Sequence, residues 1–259
     1  QVREITVDIL DGDREVMIAP LPLYHIYAFT VSLVMSDMGH EMVLIPNPRD
    51  IPGFVKELSK HKFSSFAGLN TLFVALCNNK EFNALDFSHL KHTISGGMAL
   101  TEAAASTWQK VTGCQIQEAY GLTETSPAVS FNPYRDIRIG TIGKVVTGTQ
   151  VKVISEDGTD LGFDQEGELC VKGPQVMAGY WQRPEATAEV MDADGWFKTG
   201  DVAILAEDGF IRLVDRIKDM INVSGFNVYP NEIDDIASQH SGILAVSYTH
   251  LTLPTMVQV

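Results

Sequence analysis

The sequence has few cysteines and few cations, and both shortages exclude classes of protein. Its three cysteines, Cys77, Cys114 and Cys170, are far apart and form no CxxC pair. Neither a disulfide framework nor a cysteine-ligated metal is therefore indicated, and a reducing cytosol is predicted. Lysine and arginine number 19 against 33 aspartates and glutamates, which gives a formal net charge of −14. That balance argues against nucleic acid or an anionic membrane surface as the main partner.

One long stretch, residues 17–35, contains no Asp, Glu, Lys or Arg and is long enough to raise the question of a membrane span. Pro20 and Pro22 interrupt it, and each proline favours extended chain at the preceding residue. The stretch therefore predicts a buried strand, a polar turn that contains His25, and a buried helix rather than a span.

With 259 residues, of which 45% are hydrophobic, the chain is long enough for one large domain plus part of a second. Up to about residue 120, short apolar strands alternate with amphipathic helices. The predicted helices include "DIPGFVKELSKH", capped by Asp50, "NTLFVALCNN", and "TEAAASTWQKVTG", capped by Thr101 and ended by Gly113. "EMVLIP", "HTISGG" and "CQIQEAYG" are predicted strands. This alternation predicts an α/β fold, with a largely parallel sheet covered by helices.

After about residue 138 the pattern changes to short alternating strands, "TQVKVIS", "GELCVKG" and "GFIRLVDR", with "SEDG" and "AEDG" as turns. They predict a small antiparallel β subdomain. "NVYPNEIDDIASQH" returns to a helical pattern and predicts the start of a small α+β C-terminal domain. Boundaries are therefore expected near residues 137 and 217, which separate an α/β domain (1–137), the β subdomain (138–217) and a C-terminal part (218–259).

Two predicted strands end in glycines, at the sheet edge where ligands of parallel sheets gather. "SGGM" contains Gly96, Gly97 and Met98, and its glycines would let a flat ring or a phosphate approach the backbone, although the motif by itself favours an ordinary turn. "YGLTET" places a ring, Tyr120, before a turn glycine, Gly121. Tyr120 could stack on a planar base, or it could be a core aromatic.

The residues after Gly121 fit a site for phosphate and a metal ion. Thr123 could donate to a phosphate oxygen. Glu124 could hold Mg²⁺, which favours one or two carboxylates together with substrate phosphates, or it could be a carboxylate at a helix start. Asp201, in "WFKTGDVA", could accept both hydroxyls of a ribose, or it could be a turn aspartate. Arg216 and Lys218 add cations near a loop.

Taken in order, "LPLYH", "SGGM", "YGLTE", "GELCVKGPQVMAGYW", "GWFKTGD" and "VDRIKDMINVSGFNVYPNEI" resemble the motifs of the adenylate-forming superfamily, over roughly residues 17–245. The stretches "NPRDIPGFVKEL", "NTLFVALCNNKEF", "GPQVMAGYWQRPEAT" and "DMINVSGFNVYPNEI" resemble those of the bacterial long-chain fatty acid–CoA ligases. The resemblance implies a two-step reaction. A fatty acid carboxylate attacks the α-phosphorus of ATP to give acyl-AMP and pyrophosphate, and coenzyme A then displaces AMP.

The resemblance implies specific roles for the candidate residues. Gly96, Gly97 and Met98 would line the adenine and acyl pocket. Tyr120 would lie against the base and Thr123 would contact a phosphate. Glu124 would bind the metal ion, and Asp201 would bind the ribose hydroxyls with Arg216 nearby. Lys218 would be the hinge between domains, and Gly225 and Phe226 would border the pantetheine tunnel. His25 would be a gate near the acyl carboxylate.

The cofactors and substrates implied are ATP, Mg²⁺, coenzyme A and a fatty acid, in a cytoplasmic enzyme. Peripheral association with the inner membrane and a homodimer are left open. Two alternatives remain at this stage. One is another adenylate-forming ligase, for aromatic or short acids. The other is a non-catalytic nucleotide- or acyl-binding protein on the same fold.

The sequence also departs from the family's pattern. The family's Ser/Thr/Gly-rich phosphate loop would precede residue 17, and "QVREITVDILDGDREV" does not match it. The family's C-terminal catalytic lysine would follow residue 259, and the stretch 247–259 resembles foreign sequence. The chain is therefore expected to be a fragment that, by itself, has little or no ligase activity.

Overall fold

The computed structural model describes residues 14–223, 226–238, 240 and 243. Gly225, the non-matching stretch before residue 14 and the stretch 247–259 lie outside the described residues. The thirteen described strands are β1 (Val16–Ala19), β2 (Glu41–Leu44), β3 (Ser65–Gly68), β4 (His92–Ser95), β5 (Ile116–Gly121), β6 (Ala128–Phe131), β7 (Lys144–Val145), β8 (Gln150–Ile154), β9 (Glu166–Lys172), β10 (Phe197–Leu205), β11 (Ile211–Arg216), β12 (Ile221–Val223) and β13 (Phe226–Val228). The described α-helices are α1 (Ile26–Asp37), α2 (Ile51–Leu58), α3 (Asn70–Cys77), α4 (Glu102–Thr112), α5 (Pro184–Val190) and α6 (Pro230–Ser238).

Seven strands form the main sheet, in the order β2-β1-β3-β4-β5-β6-β7. The strands from β2 to β5 pair in parallel, whereas β6 and β7 add antiparallel pairs at one side. The predicted α/β class with a largely parallel sheet is confirmed. The sequence analysis did not identify β3 or β6. Strand β3 is buried throughout, which removes the alternation that marks a half-buried strand.

The large core lies between the sheet and helices α2, α3 and α4. Phe66 on β3, Phe73 on α3 and Trp108 on α4 are fully buried there and pack ring against ring, with centroids 4.8–6.1 Å apart. The indole Nε1 of Trp108 donates to Thr93 Oγ1 at 3.1 Å, so the one polar atom of that ring is satisfied inside the core.

The predicted helix ends are confirmed by their hydrogen bonds. Asp50 Oδ1 accepts from the backbone N–H of Gly53 at 3.1 Å, and Thr101 Oγ1 accepts from that of Ala104 at 3.3 Å. Gly113 ends α4 in the left-handed region at φ 76°, which glycine adopts without steric cost.

Helix α1 covers the opposite face of the sheet, so the prediction of a strand, a turn and a helix over residues 17–35 is confirmed. The prediction that this helix is buried is wrong, because only Ala28 and Met35 are buried in it. A smaller cluster, Met17, Met35 and Ala67, forms the contact. On its outer face α1 leaves Phe29 and Leu33 about half exposed, at 48% and 54%. In the part of the chain that the structure describes, no helix is long and apolar enough to cross a membrane.

A second sheet of four antiparallel strands, in the order β11-β10-β9-β8, confirms the predicted β subdomain. Strand β10 was missed, because its sequence contains Gly200 at φ +73° and its pairing with β9 shifts between Lys198 and Val202. Both features break the strict alternation of a strand. A shared apolar cluster joins the two sheets, with Val129 from the first sheet and Leu169 and Ile211 from the second.

The C-terminal part contains a short β12-β13 hairpin and α6. The predicted helix is corrected at its start. Asn227 and Val228 belong to β13, and the helix begins at Pro230, a residue suited to the first helical turn because it lacks an N–H. Tyr229 packs with Val202 and Val214, so this part rests on the four-stranded sheet.

Candidate nucleotide and acyl site

The chain turns sharply after β5, and only glycine fits at the turn. A Cβ on Gly121 would lie 1.9 Å from the carbonyl oxygen of Pro127. Beyond Gly121, the backbone N–H of Leu122 donates to that same carbonyl at 3.2 Å, which closes the loop. The predicted turn at Gly121 is therefore present at the carboxyl end of the parallel sheet.

The two threonines of "TET" have different environments. Thr125 is fully buried, and its Oγ1 accepts from the N–H of Leu122 at 2.9 Å and contacts the carbonyl of Pro127. Thr125 therefore holds the loop together. Thr123 is exposed at the start of a short 3₁₀ turn, Thr123–Thr125, so its hydroxyl is the one that a ligand could reach.

Tyr120 and Asp201 meet where the two sheets join. The phenol hydroxyl of Tyr120 donates to Asp201 Oδ2 at 2.5 Å. Arg216 lies opposite Asp201 in the β10–β11 register, and its Nε is 3.5 Å from Asp201 Oδ1. Three residues that the sequence analysis singled out therefore form one cluster.

Burial and charge oppose each other at Asp201. Burial raises the pKa of this carboxyl group above its usual range, while the Tyr120 hydrogen bond and the charges of Arg216 and Lys218 counteract that rise. Burial, followed by the charge of Asp201, raises the pKa of Tyr120 well above its usual value, so its hydroxyl remains a donor. The exposed guanidinium group of Arg216 lies beside Asp201, and its positive charge favours the ionised form of the Asp201 carboxyl group.

Glu124 is held by the loop between β9 and α5. The hydroxyl of Tyr180 donates to Glu124 Oε1 at 2.9 Å, and the backbone N–H of Met177 donates to the Glu124 carbonyl at 2.8 Å. The sequence analysis gave Tyr180 no role, although "GPQVMAGYW" was among the motifs that carried the resemblance.

One side chain of this loop, Glu124, could help to hold a magnesium ion. Among the described residues no group of three or more His, Cys, Asp or Glu side chains lies close enough to hold a metal ion. Glu124 alone supplies one carboxylate, with Oε1 already bonded to Tyr180. Mg²⁺ needs only one or two carboxylates when substrate phosphates and water complete its shell.

The glycine pair after β4 faces the start of α1. Gly96 is buried, and a Cβ there would lie 3.4 Å from the Tyr27 ring. Gly97 has φ +86°, and a Cβ there would lie 4.0 Å from His25 Cε1. His25 is exposed rather than a core residue, and its Nδ1 accepts from the N–H of Tyr27 at 3.2 Å as the cap of α1. Met98 is also exposed, at 46%.

A cavity of about 110 Å³ lies between α1 and the sheet, with a lining that is mostly apolar. His25, Gly96, Gly97 and Tyr120 line it at the carboxyl end of the strands. The lining includes Tyr120 but neither Glu124 nor Asp201, so the cavity adjoins the polar cluster rather than enclosing it.

The remaining predicted residues lie in the C-terminal part. Lys218 is exposed in the turn after β11, and its charge is one of those that counteract the raised pKa of Asp201. Phe226 begins β13.

A profile of AMP-binding enzymes matches residues 1–181, so the chain belongs to the AMP-binding enzyme family. It is 52% identical to a long-chain-fatty-acid–CoA ligase of Salmonella typhimurium, over 95% of this chain and 44% of that protein. It is 37% identical to a protein of the same name from Bacillus subtilis, over 91% of this chain and 42% of that protein.

The solved structure of ATP-bound MatB from Rhodopseudomonas palustris is similar, with a TM-score of 0.82 and 30% identity, over 92% of this chain and 48% of that one. The resemblance to the adenylate-forming enzymes is confirmed. The chain spans less than half the length of each of these relatives.

Proposed function

We propose that this chain forms the nucleotide- and acid-binding part of a long-chain fatty acid–CoA ligase. The observation that carries the proposal is the hydrogen bond from Tyr120 to Asp201, beside an apolar cavity that begins at Tyr120 and Gly97. The 52% identity to a relative named long-chain-fatty-acid–CoA ligase supports the class of acid. The complete reaction is proposed for a protein of the relatives' full length.

In this proposal the polar cluster binds the nucleoside. The ring of Tyr120 lies against the adenine, and Asp201 accepts the two ribose hydroxyls through oxygens that Tyr120 and Arg216 hold in place. Each such hydrogen bond to a charged group is worth about 1.5–3 kcal/mol. The nucleotide is thereby fixed with its phosphates toward the turn after Gly121.

Thr123 and Glu124 then face the phosphates. The exposed hydroxyl of Thr123 donates to a phosphate oxygen, and Glu124, held by Tyr180, supplies the carboxylate for Mg²⁺. When bound, the ion neutralises charge on the phosphates. The chemistry depends on such neutralisation and on alignment more than on a covalent nucleophile.

The fatty acid occupies the cavity between α1 and the sheet, with its carboxylate at the end marked by His25 and Gly97. A carboxylate oxygen attacks the α-phosphorus, the bond to the bridging oxygen breaks, and pyrophosphate leaves. The thiolate of coenzyme A then attacks the acyl carbonyl and AMP leaves. Residues near Lys218, Gly225 and Phe226 are proposed to serve this second step, as the hinge and the pantetheine tunnel.

Stable sulfamoyl-adenosine analogues of acyl-AMP test the proposal without requiring turnover. Titration calorimetry would compare palmitoyl, benzoyl and acetyl analogues on this chain. We expect the palmitoyl analogue to bind most tightly, and Asp201→Asn to weaken all three. No binding of any analogue would refute the adenylate site, and equal binding of all three would refute the preference for a long chain.

One observation favours a second candidate, a ligase for aromatic or short acids. The cavity of about 110 Å³ is below the roughly 300–1,000 Å³ of sites for drug-sized ligands. Tightest binding of the benzoyl or acetyl analogue would support that candidate. The expected lack of ligase activity in this chain alone is tested by acyl-CoA formation, and turnover well above a Glu124→Ala control would contradict it.

A further inference from the structure

The cavity between α1 and the sheet extends from one end of the strands to the other. Its lining on α1 includes Ile26 and Met35, nine residues apart, which is roughly 14 Å along a helix. On the sheet it includes Gly96, just beyond the carboxyl end of β4, and His92 at the amino end of the same strand. His25 and Gly97 therefore mark one end of the cavity, and His92 lies at the far end.

Two polar residues line the far end together with Met17 and Met35. Ser65 on β3 and His92 on β4 are register partners and are both buried, at 1% and 2% exposed. Ser65 Oγ has no hydrogen-bond partner among the described residues. An alkyl tail that reached this point would cover a buried hydroxyl without satisfying it, which is unfavourable.

A single aromatic contact supports this end from outside. The ring of His92 packs against Tyr134, with centroids 4.9 Å apart and the planes at 63°. Tyr134 itself is 47% exposed, so its other side faces solvent. His92 and Tyr134 therefore connect this end of the cavity to the protein surface.

We propose that the His92–Tyr134 pair sets the acyl chain length that the cavity accepts. The inference rests on the proposed function, because it assumes that the cavity holds the acyl group. A short chain ends before His92 and does not touch the pair. A longer chain must displace His92 and break its contact with Tyr134. Removing the Tyr134 ring removes that cost and opens a path along the cavity axis.

The experiment compares acyl sulfamoyl-adenosine analogues with saturated chains from hexanoyl to palmitoyl. Titration calorimetry would measure their affinities for the wild-type chain, Tyr134→Ala and His92→Ala, with Tyr134→Phe as the control that retains the ring. We expect Tyr134→Ala to tighten the palmitoyl analogue by up to about tenfold, the factor that an aromatic pair of this geometry is worth. The hexanoyl affinity should change less than about twofold, and Tyr134→Phe should match the wild type.

His92 is buried, so His92→Ala can lower stability, whereas Tyr134 is half exposed and its replacement keeps the test valid. The same chain-length profile in wild type and Tyr134→Ala would overturn this inference and leave the proposed function standing. Absence of binding of every analogue to the wild type would overturn both. If Tyr134→Ala tightened the binding of every chain length equally, the inference would also be overturned, because a barrier at the far end of the cavity affects only chains that reach it.

Discussion

Tyr120 and Asp201, 81 residues apart in the chain, share a hydrogen bond from the phenol hydroxyl to Oδ2. The contact joins the end of a parallel strand in one sheet to a bulged strand in the other. It orients a carboxylate whose second oxygen faces Arg216. Asp201 is buried and Arg216 is exposed, so the cluster reaches the protein surface at Arg216.

Asp201→Asn should weaken ATP binding by about tenfold or more. The substitution removes the charge that strengthens hydrogen bonds to the ribose hydroxyls, each worth about 1.5–3 kcal/mol. Titration calorimetry with ATP measures the change. Asp208→Asn is the matched control, because Asp208 is an exposed carboxylate that pairs with Arg138 outside the site. Equal losses in the two variants would contradict a specific role for Asp201.

Glu124→Gln should abolish the part of ATP affinity that depends on Mg²⁺. The wild-type chain should bind ATP more tightly with Mg²⁺ than with a chelator, and the variant should show no such difference. Tyr180→Phe removes the hydrogen bond to Oε1 and should reduce the difference without abolishing it. Glu156→Gln, at an exposed turn, should behave as the wild type. A magnesium effect that persists in Glu124→Gln would place the ion elsewhere.

The free energy of unfolding should fall as the pH rises from about 9 toward 11. Burial raises the pKa of the Cys77 thiol from 9.0 to about 11. Above pH 9 the unfolded chain therefore loses the proton while the folded chain keeps it, which favours unfolding. Cys77→Ala should reduce the slope of stability against pH in urea titrations. Part of the slope should remain in this variant, because Cys114 and Cys170 are also buried thiols with raised pKa values. An unchanged slope in Cys77→Ala would be inconsistent with a buried neutral thiol.

Trp108→Ala should lower the free energy of unfolding by about 3–5 kcal/mol, the usual cost of truncating a buried tryptophan. Trp108 is fully buried, contacts three other rings and donates to Thr93. Trp181→Ala is the same change at a residue that is 88% exposed, and it should cost less than about 0.5 kcal/mol. Urea denaturation followed by circular dichroism gives both values. Similar costs for the two variants would place Trp108 outside the core.

The local sequence by itself determined the α/β class, the helix ends and the strand ends. Asp50, Thr101 and Gly113 act through backbone groups within four residues of themselves, so their effects can be predicted without the fold. The glycines just after β4 and at the last position of β5 mark strand ends for the same reason. Parallel strands bring their carboxyl ends to one edge, which made Gly96 and Tyr120 candidates for a single site.

Only the tertiary structure decided which side chains meet. The bond from Tyr120 to Asp201, the bond from Tyr180 to Glu124 and the contact of His92 with Tyr134 join residues 42–81 positions apart. No local pattern encodes such pairs, because each depends on how strands from distant segments register and how two sheets pack. Packing also gives the two threonines of "TET" different roles. The hydroxyl of Thr125 is buried and hydrogen-bonded within the loop, whereas Thr123 is exposed to solvent.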